Sequence, residues 1–400
     1  MRKLLGTFLL LGALCIAPHQ AKAQEAADIT SQVAFTVASN ARHAVRLTDR
    51  EYKTSWQGAR GSSKLELVSQ LPMHGMYICW TQDPQAFHLQ EQVDGVWSTT
   101  MTIEASPLRH QYYPLSGQRR VRLMPASDHG KNFGISEIFI LGDGEVPAWV
   151  QRWEPSYEDT DLMLLFAHPD DEVLFFGGLL PYYGAERGLK VLPVALSAGT
   201  PVRVHELLNS IWSLGIRHYP VFGGFDDRYS WKLEEAYRHH GKKKTADFIT
   251  DLIRRHKPEV IVSHDVDGEY GHGMHRLCAD MALKGVQYAA DPSRSPASAE
   301  RYGTFQVSKL YLHLYQEKDH DVELEMNWDL PLDAFGGKTG FVMAQEAYQY
   351  HLSQHRYEQY KVEPRDSARS SYRFGLAFTA VGQDILKDDM FENIPTFVVQ

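Results

Sequence analysis

The sequence predicts an all-β sandwich domain followed by an α/β domain whose mostly parallel sheet lies between two layers of helices. Short runs of alternating apolar residues, separated by turn-rich pieces, recur from about residue 28 to residue 142. After residue 160, continuous apolar runs alternate with helical segments, as is typical of a parallel sheet. The length of 400 residues also favours two domains over one.

The first part is expected to consist of short strands that bury one face. Apolar and polar residues alternate within each run, which is the period of a half-buried strand. Turn residues such as Asp83-Pro84 and Asp94-Gly95 separate the runs. Strands at this spacing favour a β-sandwich. The expected strands cover residues 33–37, 65–67, 76–80, 87–92, 120–124 and 135–141.

The second part alternates strands and helices. Its first run, residues 162–166, is continuously apolar, as expected of a strand buried on both faces. The expected strands are residues 162–166, 191–196, 221–225, 260–263 and 310–314, and the expected helices are residues 173–187, 204–214, 243–256 and 277–288. This alternation implies a three-layer, Rossmann-like α/β domain that binds ligands beyond the C-terminal ends of its strands.

The first 23 residues have the features of a signal peptide. A positively charged start, Arg2 and Lys3, precedes an apolar stretch that is too short to span a bilayer comfortably. The small residues Ala21 and Ala23 stand before the expected cleavage position. We therefore expect an exported protein, periplasmic or secreted, without a transmembrane segment.

The rest of the chain divides at a polar stretch that contains two prolines. We expect the β-sandwich domain at residues 24–145, a linker at 146–158 and the α/β domain at 159–400. The net charge of −9 becomes three units more negative without the signal peptide, which argues against nucleic acid as a partner. Cys79 and Cys278 fall in different expected domains, so a disulfide is not expected.

Two groups of polar residues follow strands of the expected sheet. The run HPDDE at residues 168–172 comes directly after the first strand, and the run GEYGHGMHR at residues 268–276 follows the strand at 260–263. Because the C-terminal ends of parallel strands meet at one edge, we expect both groups to converge there. Their imidazole and carboxylate groups are ligands that catalytic zinc sites use.

The spacing suggests a role for each residue of a metal site. His168 and Asp171 are three residues apart and can meet one ion where the chain turns into a helix, and His275 can complete the set. Water on such an ion supplies hydroxide near neutral pH. Asp170 is placed to act as general base on that water, although an aspartate pair there also suits a helix N-terminus. Zn²⁺ is expected, and Fe²⁺ or another first-row ion fits the same ligands.

These residues resemble the PIG-L/LmbE-like deacetylase family. The similarity includes residues 167–172 in full, and residues 270–276 look like the family's His-Pro-Asp-His motif. Residues 203–206 and 388–394 are similar as well, so the resemblance extends from about residue 160 to residue 394. It implies that His168, Asp171 and His275 bind the metal and that Asp170 is the base.

The resemblance also implies roles for residues of the second group. His272 would stabilise or protonate the tetrahedral intermediate, and Tyr270 would polarise the carbonyl. One departure is that Gly273 and Met274 stand where the family usually has Pro and Asp. An acidic partner that would orient His272 is therefore missing, which leaves its protonation state and role open.

Other polar residues have weaker assignments. Arg203 can hold a substrate hydroxyl or acid, or form an ion pair with Glu206 or another acid. Asp227 follows a strand end and can bind sugar hydroxyls or serve in a turn or cap. We expect structural roles for Glu172, through hydrogen bonds to the backbone of the motif, and for His351.

The expected β-sandwich has a resemblance of its own. Residues 134–142, with the sequence GISEIFILG, resemble the last strand of discoidin-like, galactose-binding-type domains. Such domains commonly bind glycans or lipids, while others only pack against a catalytic neighbour. Both alternatives stay open.

The sequence thus predicts a metal-dependent amidase that removes an acetyl or other acyl group from an N-acylated sugar, oligosaccharide or glycoconjugate. One alternative is an amidase that acts on thiol conjugates or acylated amino acids. Another is a catalytically silent glycan-binding protein, against which the retained residues argue, namely His168, Asp170, Asp171 and His275. Export and a glycan-binding type of domain favour a sugar substrate.

Overall fold

A computed structural model describes residues 24–127, 132–314 and 323–395. The expected signal peptide lies outside these residues. Within them, the β-rich N-terminal region begins with a short 3-10 turn and contains nine strands. The strands are β1 (Val33–Val37), β2 (Trp56–Gln57), β3 (Leu65–Ser69), β4 (Gly75–Trp80), β5 (Phe87–Val93), β6 (Val96–Ile103), β7 (His110–Pro114), β8 (Arg120–Pro125) and β9 (Gly134–Leu141).

These strands form two antiparallel sheets with the orders β1-β3-β8-β5-β6 and β2-β9-β4-β7. In β5, buried and half-exposed residues alternate from Phe87 onward, as the sequence predicts. Large apolar side chains from both sheets, including Trp56, Trp80 and Phe87, lie in one core. The sequence missed β6 because half of its residues are serine or threonine and it forms the exposed edge of its sheet.

The second region is an α/β fold. Its strands are β10 (Leu162–Phe166), β11 (Val191–Ser197), β12 (Val221–Phe225), β13 (Val260–Ser263), β14 (Lys309–His313), β15 (Glu323–Glu325), β16 (Pro331–Leu332), β17 (Lys338–Thr339) and β18 (Arg373–Thr379). Its helices are α1 (Asp171–Leu174), α2 (Pro201–Ser213), α3 (Leu233–His240), α4 (Lys242–His256), α5 (Gly273–Ala290), α6 (Pro296–Tyr302) and α7 (Gly340–Tyr348).

Seven of the described strands of this region build one large sheet in the order β12-β11-β10-β13-β14-β18-β15, and β16 and β17 form a separate two-stranded sheet. The first five strands are parallel, β18 runs antiparallel to β14, and β15 runs antiparallel to β18, so the sheet is mixed. Along β10, Leu164 packs into one apolar core and Leu165 into another, because successive side chains point to opposite faces. Apolar cores therefore cover both faces, and the predicted α/β region after a β-rich region is confirmed.

The prediction of one continuous helix over residues 173–187 is wrong between Leu174 and Leu180. The helix α1 ends at Leu174, and a wide, π-helical turn covers Leu180–Glu186. Between them, Gly177 has a φ of +52°, and a Cβ atom on Gly178 would lie 3.0 Å from the Cα atom of Gly340. Close approach of the two backbones and the left-handed residue interrupt the helix.

The two regions contact each other through buried polar side chains. His110 Nε2 lies 2.7 Å from His205 Nδ1, and the hydroxyl of Ser136 lies 3.0 Å from His205 Nε2. Since His205 belongs to α2, this contact joins β7 and β9 to the helix that begins beside the HPDDE motif. Cys79 and Cys278 are free and buried. In the described ranges, we find no helix with the length and apolar character needed to cross a bilayer.

Candidate active site

The C-terminal ends of β10 and β13 bring the two motifs together. The HPDDE run follows β10 and enters α1 at Asp171, while the second run follows β13 and enters α5 at Gly273. Both helices start at the same edge of the parallel part of the sheet. This is the convergence that the sequence predicts.

The three predicted metal ligands lie side by side and are buried. Asp171 is central: its Oδ2 atom lies 3.3 Å from His168 Nδ1, and its Oδ1 atom lies 3.4 Å from His275 Nε2. Two sets of ligand atoms lie within 4.8 Å of one another, one from His168, His272 and His275 and one from Asp171, His264 and His275. His275 belongs to both sets, so these described residues form one continuous cluster of potential metal ligands.

The donor atoms of this cluster fit a divalent cation. Among the described residues, the Nε2 atoms of His168 and His275 are buried without a hydrogen-bond partner. Such atoms cost free energy unless another group, such as a cation, binds them. Burial alone would raise the pKa of Asp171, but His275 and His264 outweigh it and hold the pKa well below its ordinary value. Asp171 is therefore a carboxylate beside two unsatisfied imidazole nitrogens.

Asp170 has a constrained backbone and a side chain that is available for proton transfer. Its φ is +123°, a region that costs energy for a residue with a side chain. It occupies the N-cap position of α1, yet its side chain makes no capping hydrogen bond. Burial raises the pKa of Asp170 well above its ordinary value, although Arg203 acts in the opposite direction. The structure thus places a second carboxyl group, with a raised pKa, next to Asp171.

Glu172 has the structural role that the sequence predicts. Its Oε2 atom accepts a hydrogen bond from the backbone N–H of Asp170 at 2.8 Å. Its Oε1 atom accepts one from the Ser210 hydroxyl and lies 2.6 Å from His351 Nε2. Glu172 therefore holds the backbone of Asp170 in place, and the contact with His351 fixes the other carboxylate oxygen of Glu172.

Arg203 and Asp227 border the cluster. An Nη atom of Arg203 donates to Asp170 Oδ1 at 2.7 Å and to the carbonyl of Pro169, and the other donates to Asp227 Oδ2 at 3.1 Å. The Oδ1 atom of Asp227 lies 3.6 Å from His168 Nε2. Arg203 therefore pairs with these two acids, whereas Glu206 accepts hydrogen bonds from Ser353 instead.

His272 and Tyr270 flank the cluster in neutral forms. Burial, together with the neighbouring His168, lowers the pKa of His272. The Nδ1 atom of His272 accepts a hydrogen bond from the backbone N–H of Met274 at 3.2 Å, which leaves its proton on Nε2. Burial raises the pKa of Tyr270 well above its ordinary value, so its hydroxyl keeps its proton. Both side chains are hydrogen-bond donors.

Residues 163–286 match the family described as PIG-L: GlcNAc-PI de-N-acetylase. The chain carries a PIG-L domain. The matched residues include both motifs, and the resemblance that the sequence suggests is confirmed over this range.

The relatives of the PIG-L domain are named deacetylases, in agreement with the predicted N-deacetylase chemistry. The 1D-myo-inositol 2-acetamido-2-deoxy-alpha-D-glucopyranoside deacetylase 1 of Frankia alni is 24% identical over 200 residues, covering 41% of this chain and 66% of the relative. The corresponding deacetylase of Streptomyces avermitilis is 29% identical over 182 residues, covering 38% of this chain and 60% of the relative. The chain thus spans less than two thirds of the length of these curated relatives.

A solved structure, the N,N'-diacetylchitobiose deacetylase from Pyrococcus horikoshii, is also similar. It is 18% identical to this chain, with a TM-score of 0.37, and the similarity covers 51% of this chain and 74% of that protein.

The PIG-L domain contains a carboxylate that sequence reasoning missed. The Glu269 side chain is fully buried. It lies 2.5 Å from His275 Nδ1, 2.8 Å from His264 Nδ1 and 3.1 Å from His313 Nδ1. Burial alone would raise the pKa of Glu269, but His264 and His275 hold it well below its ordinary value. An ionised Glu269 accepts the Nδ1 proton of His275 and so directs the free Nε2 lone pair into the cluster.

His264 was also missed, although a signal existed. His264 is the first residue after β13, and His168 is the second residue after β10. The Nε2 atom of His264 lies 3.3 Å from Asp171 Oδ2, and its ring stacks on that of His275 with centroids 4.1 Å apart. A histidine directly after a parallel strand is therefore as informative here as the motif residues themselves.

We predict that Glu269→Gln weakens metal binding about 10- to 100-fold. Glutamine keeps the size of the side chain but loses the charge that orients His275 and His264. Competition with a chelator of known affinity measures the change. Glu259→Gln is the control, because Glu259 precedes β13 and lies at the opposite end of the same strand. Equal affinity in the two variants would show that Glu269 does not support the metal.

The cluster opens into a cavity of about 270 Å³. Asp170, Arg203 and Asp227 form a charged part of its lining, and tyrosines form much of the rest. The tyrosines that line it are Tyr229, Tyr270, Tyr357 and Tyr360. Charged groups beside aromatic rings suit a ligand that has both hydroxyl groups and apolar faces.

Proposed function

We propose that the protein is a zinc-dependent N-deacetylase that hydrolyses the N-acetyl amide of an amino sugar, oligosaccharide or glycoconjugate. The observation that supports this most strongly is the pair of buried, unpartnered imidazole nitrogens beside the ionised Asp171. Imidazole and carboxylate ligands suit zinc, and Fe²⁺ accepts the same set. The names of the relatives point to acetamido sugars.

In this proposal, His168, Asp171 and His275 would hold the ion, and a bound ion would supply an acidified water molecule and a positive charge beside the amide oxygen. Asp170 takes one proton from the water whose oxygen adds to the amide carbon. Arg203 and the backbone contact to Glu172 keep the Asp170 carboxyl group in one position.

Tyr270 and His272 complete the proposed chemistry as donors. The phenol hydroxyl of Tyr270 and the Nε2–H group of His272 stabilise the oxygen that gains negative charge. The C–N bond then breaks, and the nitrogen receives a proton as the amine leaves. Because burial raises the pKa of Asp170 and lowers that of His272, Asp170 is the better proton carrier. The products are acetate and a free amino sugar.

We assign substrate contacts to Arg203 and Asp227. Asp227 is partly exposed and lines the cavity, so its carboxylate can accept hydrogen bonds from sugar hydroxyls. Arg203 is more buried and its contacts to Asp170 make it chiefly a positioning residue.

We further propose that the protein is exported to the periplasm or the cell exterior. This proposal rests on the sequence of residues 1–23. We also propose a discoidin-like β-sandwich domain at residues 24–145, a linker at 146–158 and a three-layer domain at 159–400. The common core of the two antiparallel sheets and the two apolar cores on the large sheet support this division.

Removal of the metal tests the proposed function. Zinc-loaded protein is expected to release acetate from N-acetylglucosamine or chitooligosaccharides. Dialysis against a chelator is expected to abolish this release, and added zinc is expected to restore it, because the ion supplies the acidified water. Circular dichroism checks that the metal-free protein is folded. Acetate release that persists in folded, metal-free protein would contradict the proposal.

A further inference from the structure

Two exposed aromatic side chains stand beside the cavity. Tyr229 and Trp231 belong to the loop between β12 and α3. They are 55% and 60% exposed, and their rings meet edge to face with centroids 4.9 Å apart. In the described ranges, four tyrosine or tryptophan residues are exposed, and two of them form this pair, which we name the aromatic shelf.

The shelf is held firmly against the active site. Ser230, between the two aromatic residues, is buried, and its carbonyl accepts a hydrogen bond from the Gly273 N–H at 2.7 Å. The backbone N–H of Trp231 donates a hydrogen bond to Glu235 Oε2 at 3.0 Å. The Tyr229 ring lies edge to face with that of His272, with centroids 4.7 Å apart. The shelf is therefore continuous with the catalytic cluster.

Gly273 permits this arrangement. A Cβ atom at this position would lie 2.8 Å from the carbonyl oxygen of Lys232 and would also collide with Ser230. Proline, which the family's motif has here, would add that bulk and remove the N–H that binds Ser230. The departure from the motif at Gly273 is thus explained by the close approach of the loop that carries the shelf.

We propose that the aromatic shelf binds a second sugar unit, so that this enzyme prefers N-acetylated oligosaccharides to monosaccharides. This inference rests on the proposed function and adds a substrate class to it. The cavity of about 270 Å³ is slightly smaller than the roughly 300–1,000 Å³ of pockets that enclose drug-sized ligands. One sugar ring fits beside Asp170 and Arg203. The next unit of a chain leaves the cavity, where Tyr229 is part of the rim and Trp231 offers an apolar face for stacking.

Binding to a full-length, zinc-loaded Asp170→Asn protein tests the shelf without turnover. Isothermal titration calorimetry with N-acetylglucosamine and N,N'-diacetylchitobiose is expected to give about tenfold tighter binding of the disaccharide, the amount that one aromatic contact supplies. Adding Trp231→Ala is expected to reduce the difference to about twofold or less and to leave monosaccharide affinity unchanged. Gly273→Pro, which releases the loop, is expected to act in the same direction.

Trp149→Ala is the matched control, because Trp149 is an exposed tryptophan that contacts Tyr77 and Phe139 of the β-rich region. It is expected to keep the full preference. Equal affinity for the two sugars, no binding of either, or a preference that survives Trp231→Ala would overturn the inference. Acetate release by protein with Asp170 intact is a separate readout. Acetate release without tighter binding of the disaccharide would refute only the role of the aromatic shelf. Tighter binding of the disaccharide without acetate release would refute only the proposed chemistry.

Discussion

Asp170→Asn is expected to lower the rate of acetate release by about 10²- to 10⁴-fold, which is the typical contribution of a general base. Asparagine matches aspartate in size, and its amide oxygen can still accept the hydrogen bond from Arg203. The backbone contact to Glu172 does not involve the side chain. The variant therefore loses the proton acceptor and keeps the surrounding structure. Turnover at saturating N-acetylated substrate, together with zinc content, measures the effect.

The control for this variant is Asp161→Asn. Asp161 precedes β10, at the far end of the strand that leads to Asp170, and its carboxylate accepts a hydrogen bond from the Lys190 N–H at 2.7 Å. The Asp161→Asn variant is expected to have a turnover rate within about threefold of the wild-type rate, as for most substitutions away from an active site. Near-normal turnover in folded, zinc-containing Asp170→Asn would show that another group accepts the proton.

His275→Ala is expected to abolish both metal binding and activity. His275 belongs to both sets of ligand atoms, and its Nε2 atom is one of the buried nitrogens without a hydrogen-bond partner. With His275 removed, His168 and Asp171 are left as the only members of the predicted ligand set, whereas catalytic zinc typically has three protein ligands. Mass spectrometric metal analysis after gel filtration is expected to find about one zinc per chain in the wild type and nearly none in the variant.

His218→Ala is the control for this loss. His218 is a partly exposed histidine whose Nδ1 atom lies 2.7 Å from the carbonyl of Pro155, away from the cluster. It is expected to bind zinc like the wild type. A His275→Ala protein that retains zinc with unchanged affinity would contradict the ligand assignment, whatever its activity.

The cluster of potential metal ligands could be located from the sequence because its position depends on strand ends. His168 follows a continuous apolar run, and His275 follows another after a short loop, so the parallel arrangement alone predicts that they meet. Glu269 could not be found in this way. Its contacts with three histidines require left-handed backbone at Gly268, Glu269 and Gly271, with φ values of +69°, +27° and +90°. No periodic pattern encodes such a turn.

In the rest of the fold too, features that depend on local sequence pattern could be predicted, and features that depend on packing between distant residues could not. The strand β10 was predicted correctly because burial on both faces demands apolar residues throughout. The break after α1 depends on Gly340, which is remote in sequence and lies against Gly178. The ring of His240 is buried and packs against Phe225 with centroids 5.7 Å apart, although a basic run at residues 242–244 follows it in the sequence.

The central claim is tested most directly by measuring acetate and free amine together after zinc-loaded wild-type protein has acted on N-acetylated sugars of one, two and more units. Hydrolysis of the amide predicts equal amounts of the two products, absent without zinc and increasing with sugar length. A folded, zinc-containing protein that binds the oligosaccharides and releases neither product would contradict the account.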